Sequence, residues 1–168
     1  MPTGRNRVPI AQLREVLTDA GYGIVRTYIQ SGNVLVDTHL SAKEAEEQVH
    51  ELIKEHIGAD ITVIVRTGRQ LQQVRDENPF IKGYDISRVF FVIFAESPSR
   101  QKVKELMAED YGDEKLFINQ SGGYMFIPGS AARSRLSNVY LEKKLGVSAT
   151  TRNFNTMSKL IELSRAKK

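Results

Sequence analysis

The chain has 168 residues, of which 40% are hydrophobic and 26% charged, a composition typical of a globular protein that excludes a disordered one. It has no cysteine, which excludes disulfides and thiolate chemistry and favours a cytoplasmic location. The longest apolar run, residues 89–95, is too short to cross a bilayer, and the first residues lack the apolar stretch of a signal peptide, so no membrane partner is predicted.

The net charge of +4 is unevenly distributed. Residues 1–66 hold seven Lys/Arg against nine Asp/Glu, whereas residues 131–168 hold nine Lys/Arg against two Glu. The basic excess therefore lies in the last quarter of the chain. Two interpretations follow from this asymmetry: a polyanionic or phosphorylated partner, or a solvated C-terminal helix with a Lys-Lys tail.

Hydrophobic periodicity predicts alternating helices and strands in the first half of the chain. A first helix starts with Pro9 at its N1 position and stops at Gly21. A capping box formed by Ser41 and Glu44 opens a second helix, which ends at Gly58. Strands are predicted at residues 24–29, 34–37 and 61–65, the first two joined by a hairpin turn over residues 30–33.

The second half of the chain repeats this order after a linking segment with a short helix of its own. Ser97 followed by Pro98 predicts the N-cap and N1 positions of the next helix. Further helices are predicted at about residues 134–145, where Gly146 ends the helix, and at about residues 157–166. Strands are predicted at residues 88–94, 115–119, 124–127 and 147–151.

The second half is therefore β-α-β-β-α-β followed by one helix, and the first half is α-β-β-α-β. This pattern predicts an α+β protein, formed by tandem duplication of a ferredoxin-like unit whose first copy lacks its opening strand. The predicted domains are an incomplete first unit (1–66), a helical linker (67–87) and a second unit with the C-terminal helix (88–168).

The missing strand would be the central one of its sheet. A strand of about six residues buries some three large apolar side chains, at roughly 1.5–3 kcal/mol each. Residues 1–8, with Pro, Gly and two Arg, are a poor replacement. Three explanations stay open: a natural start upstream of Met1, irregular pairing of the N-terminal segment, or self-association that covers the incomplete first unit.

Five segments together resemble a bacterial family catalogued as domain of unknown function 1697. The resemblance covers essentially the whole chain and implies two ferredoxin-like subdomains, but no activity. Its segments are residues 4–10, 27–33, 134–138, 141–146 and 151–156.

The chain departs from the family pattern at several places. Family members usually open with an apolar strand and an Arg-Gly-Ile-Asn-Val-Gly-Gly loop, of which residues 3–6 keep only a remnant. Arg135 stands where Lys is more usual, and Phe154 where Trp is. Because the sequence starts where the opening loop of the family ends, an upstream start is the preferred explanation of the missing strand.

No local motif announces catalysis. The three histidines are His39, His50 and His56, and the last two are not at the i, i+4 spacing that would let them share a metal ion. The chain has no phosphate-binding glycine loop and no arrangement of nucleophile and base. Neither a cofactor nor a metal is therefore predicted, catalytic residues stay unassigned, and whether the protein is an enzyme stays open.

Nucleic-acid binding through the sheet is considered but not favoured. A ferredoxin-like sheet can stack bases on exposed aromatic residues, and residues 88–94 and 124–127 do contain aromatics. However, the run from residue 89 to 94 is apolar enough to predict burial on both faces of the sheet. The basic C-terminal quarter remains the alternative surface for nucleic acid.

The best candidate site for a small phosphorylated or acidic ligand is C-terminal. Two segments place Arg, hydroxyl and amide side chains where helices begin, and free N–H groups with the helix dipole favour an anion there. The competing interpretation is that the same Ser, Thr and Asn residues only cap the helices. The candidate residues are Arg135, Ser137, Asn138, Arg152, Asn153, Asn155 and Thr156, with Ser31 and Asn33 of the first hairpin as a second candidate.

Three classes of function are consistent with the sequence. A binding protein for a small anionic ligand is preferred, with Arg135 and Arg152 converging on one cleft. An enzyme of unidentified, phosphate-linked chemistry and a weak nucleic-acid-binding protein are the alternatives.

Overall fold

A computed structural model of the protein describes residues 8–28 and 32–165. The chain divides into two compact units, one comprising Met1–Thr67 with Glu162–Lys168 and the other Gly68–Ile161. Each unit combines helices with its own sheet, so the protein is α+β, as predicted. The predictions that concern residues 1–7, 29–31 and 166–168 lie outside the described residues.

The first unit places two helices beside a two-stranded antiparallel sheet of β1 and β2. The helix α2 begins with the predicted capping box: Ser41 Oγ accepts from the Glu44 N–H at 3.1 Å, and Glu44 Oε1 accepts from the Ser41 N–H at 2.9 Å. The elements are α1 (Ile10–Asp19), β1 (Gly23–Tyr28), β2 (Asn33–Asp37) and α2 (Ala42–His56).

The predicted strand at residues 61–65 is wrong, because no ladder forms there within the described part of the chain. Side chains of α2 bond to the backbone of this segment instead. The Val65 N–H donates to Glu46 Oε2 at 3.0 Å, and His50 Nδ1 lies 2.8 Å from the Ile61 carbonyl oxygen. Because a sheet needs a neighbouring strand and no strand of the described residues pairs with this segment, these bonds to α2 hold its backbone.

The second unit holds a four-stranded antiparallel sheet in the order β4-β5-β3-β6. The first strand of this unit, β3, pairs with β5 on one side and β6 on the other. The elements are α3 (Gly68–Asp76), β3 (Val89–Phe94), α4 (Arg100–Met107), β4 (Lys115–Ile118), β5 (Gly123–Phe126), α5 (Asn138–Leu145), β6 (Ala149–Asn153) and α6 (Phe154–Arg165), whose last turn belongs to the first unit.

The central strand β3 is buried on both faces, as its composition predicts. On one face Val92 and Phe94 pack with Leu106 of α4 and Leu141 of α5. On the other face Phe91 is fully buried and its ring lies 5.8 Å from that of Tyr124, between centroids. Helices cover this second face too: the Tyr124 hydroxyl donates to the Val74 carbonyl of α3, and the Phe154 ring of α6 lies 6.2 Å from the Phe91 ring.

Several predicted boundaries are displaced. The N-cap of α4 is Ser99, whose side chain accepts from the Lys102 N–H, and not Ser97. The helix predicted from residue 134 begins at Asn138, because a 3-10 turn at Ala131–Arg133 and a bond from the Leu136 N–H to Ser134 Oγ shape the preceding segment. Strand β6 lies two residues later than predicted. Helix α6 begins three residues earlier than predicted.

Candidate functional site

The N-terminal end of α5 carries the first predicted site residues. Ser137 is the N-cap, and its Oγ accepts from the Tyr140 N–H at 3.0 Å. The N–H groups of Asn138 and Val139 have no hydrogen-bond acceptor among the described residues, as expected for the first turn of a helix. Val139 is 71% exposed, so this end of the helix is open to solvent. Helix geometry makes it favourable for an anion.

Arg135 lies just before this helix and is exposed. Its guanidinium donates through Nη2 to the Asp110 carbonyl at 2.8 Å. The Cζ atom lies 4.5 Å from the ring centroid of Tyr111 and 5.9 Å from that of Tyr140. Within the described ranges no carboxylate forms an ion pair with Arg135. The two rings and the carbonyl therefore orient a cation whose charge no carboxylate neutralises directly.

The two tyrosines that hold Arg135 contact each other as well. Their hydroxyl oxygens are 3.2 Å apart, and Tyr111 Oη donates to the Leu106 carbonyl at 2.7 Å. Burial is the largest cause that raises the pKa of Tyr111 far above its usual range, and the hydrogen bond with Tyr140 is the second. Tyr111 therefore stays a neutral phenol at physiological pH, and its ring face remains a support for the guanidinium rather than an ionising group.

Asn138 is used structurally. Its Nδ2 donates to the Ala149 carbonyl at 2.9 Å, and its Oδ1 accepts from Thr151 Oγ1 at 2.7 Å. Both ends of the amide thus tie the start of α5 to β6. The helix-capping interpretation accounts for Ser137, and this link accounts for Asn138, so the side chains of both residues are already occupied by the fold.

The expected convergence of Arg135 and Arg152 is wrong. In β6, Thr151 pairs with Val92, whose side chain lies in the core beneath α4 and α5, whereas Arg152 pairs with Phe91 on the other face. Arg135 contacts Tyr111 and Tyr140, which pack against that first core. Because side chains alternate along a strand, the two guanidinium groups lie on opposite faces of the sheet.

Arg152 makes local bonds on its own face. Its Nη1 donates to Thr150 Oγ1 at 2.5 Å and to the Thr151 carbonyl at 2.9 Å. Burial lowers the pKa of Arg152 from its ordinary value. The arrangement gives Arg152 a fixed position in the second unit.

The remaining candidate residues differ in position: one caps a helix, two are buried and one is exposed. Asn153 Oδ1 accepts from the Thr156 N–H at 2.8 Å and so caps α6, while Thr156 is buried and Asn155 is exposed. Asn33 is buried in the first unit, and its Nδ2 donates to the Tyr28 carbonyl at 3.2 Å. Ser31 lies outside the described residues.

Each unit also has a cavity among its described residues, and the lining of neither contains a predicted site residue. The first unit has a cavity of about 640 Å³ beside Tyr22, whose hydroxyl donates to Gln48 Oε1 at 2.5 Å. The second unit has a cavity of about 320 Å³ beside β4, with Tyr111 in its lining.

Among the described residues, no three His, Asp or Glu side chains cluster to hold a metal ion. No helix in the described part of the chain is long and apolar enough to span a membrane.

Sequence reasoning missed the partners of Arg135. Asp110 and Tyr111 follow α4, more than twenty residues before Arg135, and the loop that carries them has no periodic pattern. Tyr140 is nearer, but its position in the first turn of α5 depends on the correct helix start. No signal in the sequence joins these residues, because the contact is made by the packing of α4 against α5.

The chain is thus an α+β protein of two compact units, with an exposed Arg135 just before a helix end that is open to solvent. A family model described as Protein of unknown function (DUF1697) matches residues 2–124. The chain belongs to this family, which confirms the resemblance found in the sequence. No curated protein matches the chain.

Among solved structures, the chain is similar to the conserved bacterial protein SP0830 from Streptococcus pneumoniae. The TM-score is 0.76 at 20% sequence identity, over 99% of this chain and 94% of that one. At this identity the likeness shows the fold alone. Neither the family nor this neighbour indicates a specific function.

Proposed function

We propose that the protein is a binding protein for a small phosphorylated or acidic ligand, held at the N-terminal end of α5 by Arg135 and by the free N–H groups of Asn138 and Val139. The observation that carries the proposal is the guanidinium of Arg135, fixed by two tyrosine rings and the Asp110 carbonyl without a carboxylate partner among the described residues.

The chemistry of this corner suits an anion for two separate reasons. Arg presents planar donors that match phosphate or carboxylate oxygens, and stacking on Tyr111 limits the side-chain entropy lost when it binds. The open N–H groups of α5 add donors and the positive end of the helix dipole. Ser137 contributes by capping the helix, which keeps those donors in place.

The expected affinity is low. Glu109 and Asp110 lie beside Tyr111, and their charges weaken the potential that an anion meets at Arg135. The proposal concerns binding, because the features that support it are an oriented cation and open N–H donors. The second segment, with Arg152, Asn153, Asn155 and Thr156, and the hairpin residues Ser31 and Asn33 stay predictions for separate ligand contacts.

Titration with inorganic phosphate, followed by amide NMR, tests the proposal. Phosphate should move the amide signals of Asn138 and Val139, and Arg135→Gln should weaken its binding by roughly three- to ten-fold because a charged hydrogen bond is lost. Arg69→Gln removes an exposed arginine of α3 and is the matched control.

Unmoved signals at Asn138 and Val139 would refute the proposal. Equal weakening by Arg69→Gln would show that phosphate responds only to net charge, and it would refute the site as well. A thermal melt of each variant checks that the fold is kept.

We further propose that each unit derives from one ferredoxin-like ancestor, that the first copy lacks its central strand, and that the protein works in the cytoplasm. The strand order β4-β5-β3-β6, with the first strand of the unit in the centre, supports the ferredoxin-like assignment of the second unit. The shared succession of helix, antiparallel hairpin and helix supports the duplication. The division at 1–66, 67–87 and 88–168 and the cytoplasmic location remain part of this proposal.

A further inference from the structure

The cavity beside β4 has an unpaired strand edge in its wall. β4 is an outer strand of the four-stranded sheet. The Asn119 N–H donates to the Gly122 carbonyl across the hairpin, whereas the Ile118 N–H points away from β5 and lies 3.2 Å from Met107 Sδ. Because these directions alternate along an antiparallel strand, the N–H and carbonyl groups of Leu116 also face outward. Leu116 lines the cavity, and no described residue bonds to these groups.

The walls of this cavity are aromatic and its rim is acidic. Phe80, Tyr111 and Phe117 supply the rings, and Phe117 is 37% exposed. Glu109, Asp110 and Glu114 supply carboxylates, of which none forms an ion pair within the described ranges.

The other polar groups at the cavity do not cancel this charge. Asp110 Oδ1 accepts from the Gly112 N–H, and Glu114 Oε1 accepts from Ser134 Oγ. Lys115 is the one ammonium in the described lining, and the guanidinium of Arg135 stacks on the Tyr111 ring. With three carboxylates against these two cations, the rim keeps a net negative charge.

Charge and shape together identify the class of occupant. Aromatic faces next to carboxylates attract an ammonium or guanidinium group, and Arg135 already stacks on Tyr111 in this way. A volume of about 320 Å³ accommodates a long side chain with its backbone. A free strand edge accepts an extended peptide through main-chain hydrogen bonds, while a neighbouring pocket selects one side chain.

We propose that this cavity binds a Lys or Arg side chain of an extended peptide segment, which pairs with Leu116 along the outer edge of β4. The site lies within the second unit beside the anion site, and Tyr111 and Asp110 contact both the cavity and Arg135. Main-chain bonds to Leu116 supply the register, and the carboxylates of Glu109, Asp110 and Glu114 select the positive charge.

The test uses the full chain and the capped peptide Ac-Thr-Val-Arg-Val-Thr-NH2, with Glu in place of Arg in a second peptide. The Arg peptide should move the Leu116 amide signal in an NMR titration, and the Glu peptide should not bind. Glu109→Gln should weaken binding of the Arg peptide by about two- to five-fold, the effect of one exposed charge pair. Glu105→Gln, an exposed carboxylate of α4 outside the cavity, is the matched control.

Three results would overturn the proposal: an unmoved Leu116 signal, equal binding of the Glu peptide, or equal weakening by Glu105→Gln. A titration with arginine amide distinguishes a peptide site from a site for free cations. If arginine amide binds as tightly as the Arg peptide, strand pairing is refuted. Failure here differs from failure of the anion site, because phosphate reports on Asn138 and Val139 and the peptide reports on Leu116.

Discussion

At the scale of single residues, Tyr124 shows how one buried hydroxyl group links a helix to the sheet it covers. Its ring is fully buried and packs near Phe91 and Phe117, yet its hydroxyl donates to the Val74 carbonyl at 2.6 Å. A buried carbonyl without a donor would cost about 1–3 kcal/mol. The hydrogen bond therefore joins α3 to the sheet through a contact that sequence periodicity cannot reveal.

Tyr124 also makes stability depend on alkaline pH. Burial raises the pKa of Tyr124 to about 12. Between the ordinary tyrosine value of about 10 and this raised value, the unfolded chain loses the phenol proton while the folded chain keeps it, so the free energy of unfolding falls as pH rises. Tyr124→Phe should reduce that slope in urea titrations from pH 9 to pH 12, and should cost about 1–3 kcal/mol at neutral pH.

Tyr84→Phe is the control for this prediction. The Tyr84 ring is half-buried, and it lies against Phe80 and Phe126 without a hydrogen bond from its hydroxyl to any described residue. Tyr84→Phe should cost less stability at neutral pH than Tyr124→Phe, because no buried hydrogen bond like that of Tyr124 to Val74 is lost. An unchanged slope in Tyr124→Phe would show that other groups cause the alkaline loss of stability.

The candidate site was predictable only in part at this scale. The position of Arg135, Ser137 and Asn138 near a helix start was predictable, because side-chain chemistry there is a local signal, while their binding of a ligand stays a prediction. The partners of Arg135 were not found, since Asp110 and Tyr111 meet it through tertiary packing. Arg152 was grouped with Arg135 because sequence does not tell which face of a strand a residue occupies until the strand ends are known.

At the scale of elements, the start of a helix was predicted best where both partners of its capping hydrogen bonds lie close together in the sequence. The capping box of Ser41 and Glu44 fixed the start of α2, because both halves of the reciprocal bond are encoded three residues apart. Where two candidates compete, tertiary context decides. Ser97 and Ser99 both precede α4, and Ser99 is the one that caps it. Residues 61–65 have a strand composition, but no strand in the described part of the chain pairs with them, and composition alone does not tell whether a partner strand exists.

The competition between Ser97 and Ser99 gives a direct test. Ser99 Oγ accepts from the Lys102 N–H, so Ser99→Ala should lower the free energy of unfolding by about 0.5–2 kcal/mol through loss of the cap. Ser97→Ala should change it by less than about 0.5 kcal/mol, since Ser97 is an exposed residue outside the helix. Urea denaturation of both variants measures the difference. A larger loss for Ser97→Ala would restore the helix start predicted from sequence.

At the scale of the whole molecule, the two units differ in how well their sheets are covered. In the second unit, Val89, Phe91 and Val92 of β3 have no exposed surface. In the first unit, the apolar residues of β1 and β2 that pack against its core are only half-buried: Val25, Val34 and Val36. Buried side chains there come mainly from the helices, such as Leu13 and Leu17 of α1. The first unit thus leaves apolar sheet surface that a well-covered sheet would hide.

This difference leads to a prediction of self-association through the first unit. Partly exposed Val side chains of β1 and β2 gain about 25 cal/mol per Å² when a second copy covers them. Sedimentation velocity should therefore show a weight-average mass that rises with protein concentration. Val36→Lys should weaken the association by at least about ten-fold, which corresponds to roughly 1.4 kcal/mol. Val139→Lys is the matched control, because Val139 is a highly exposed valine of the second unit. A circular dichroism melt establishes that Val36→Lys keeps its fold. A mass that stays monomeric at every concentration, or equal loss of association in both variants, would show that the half-buried face of the first unit is not an interface.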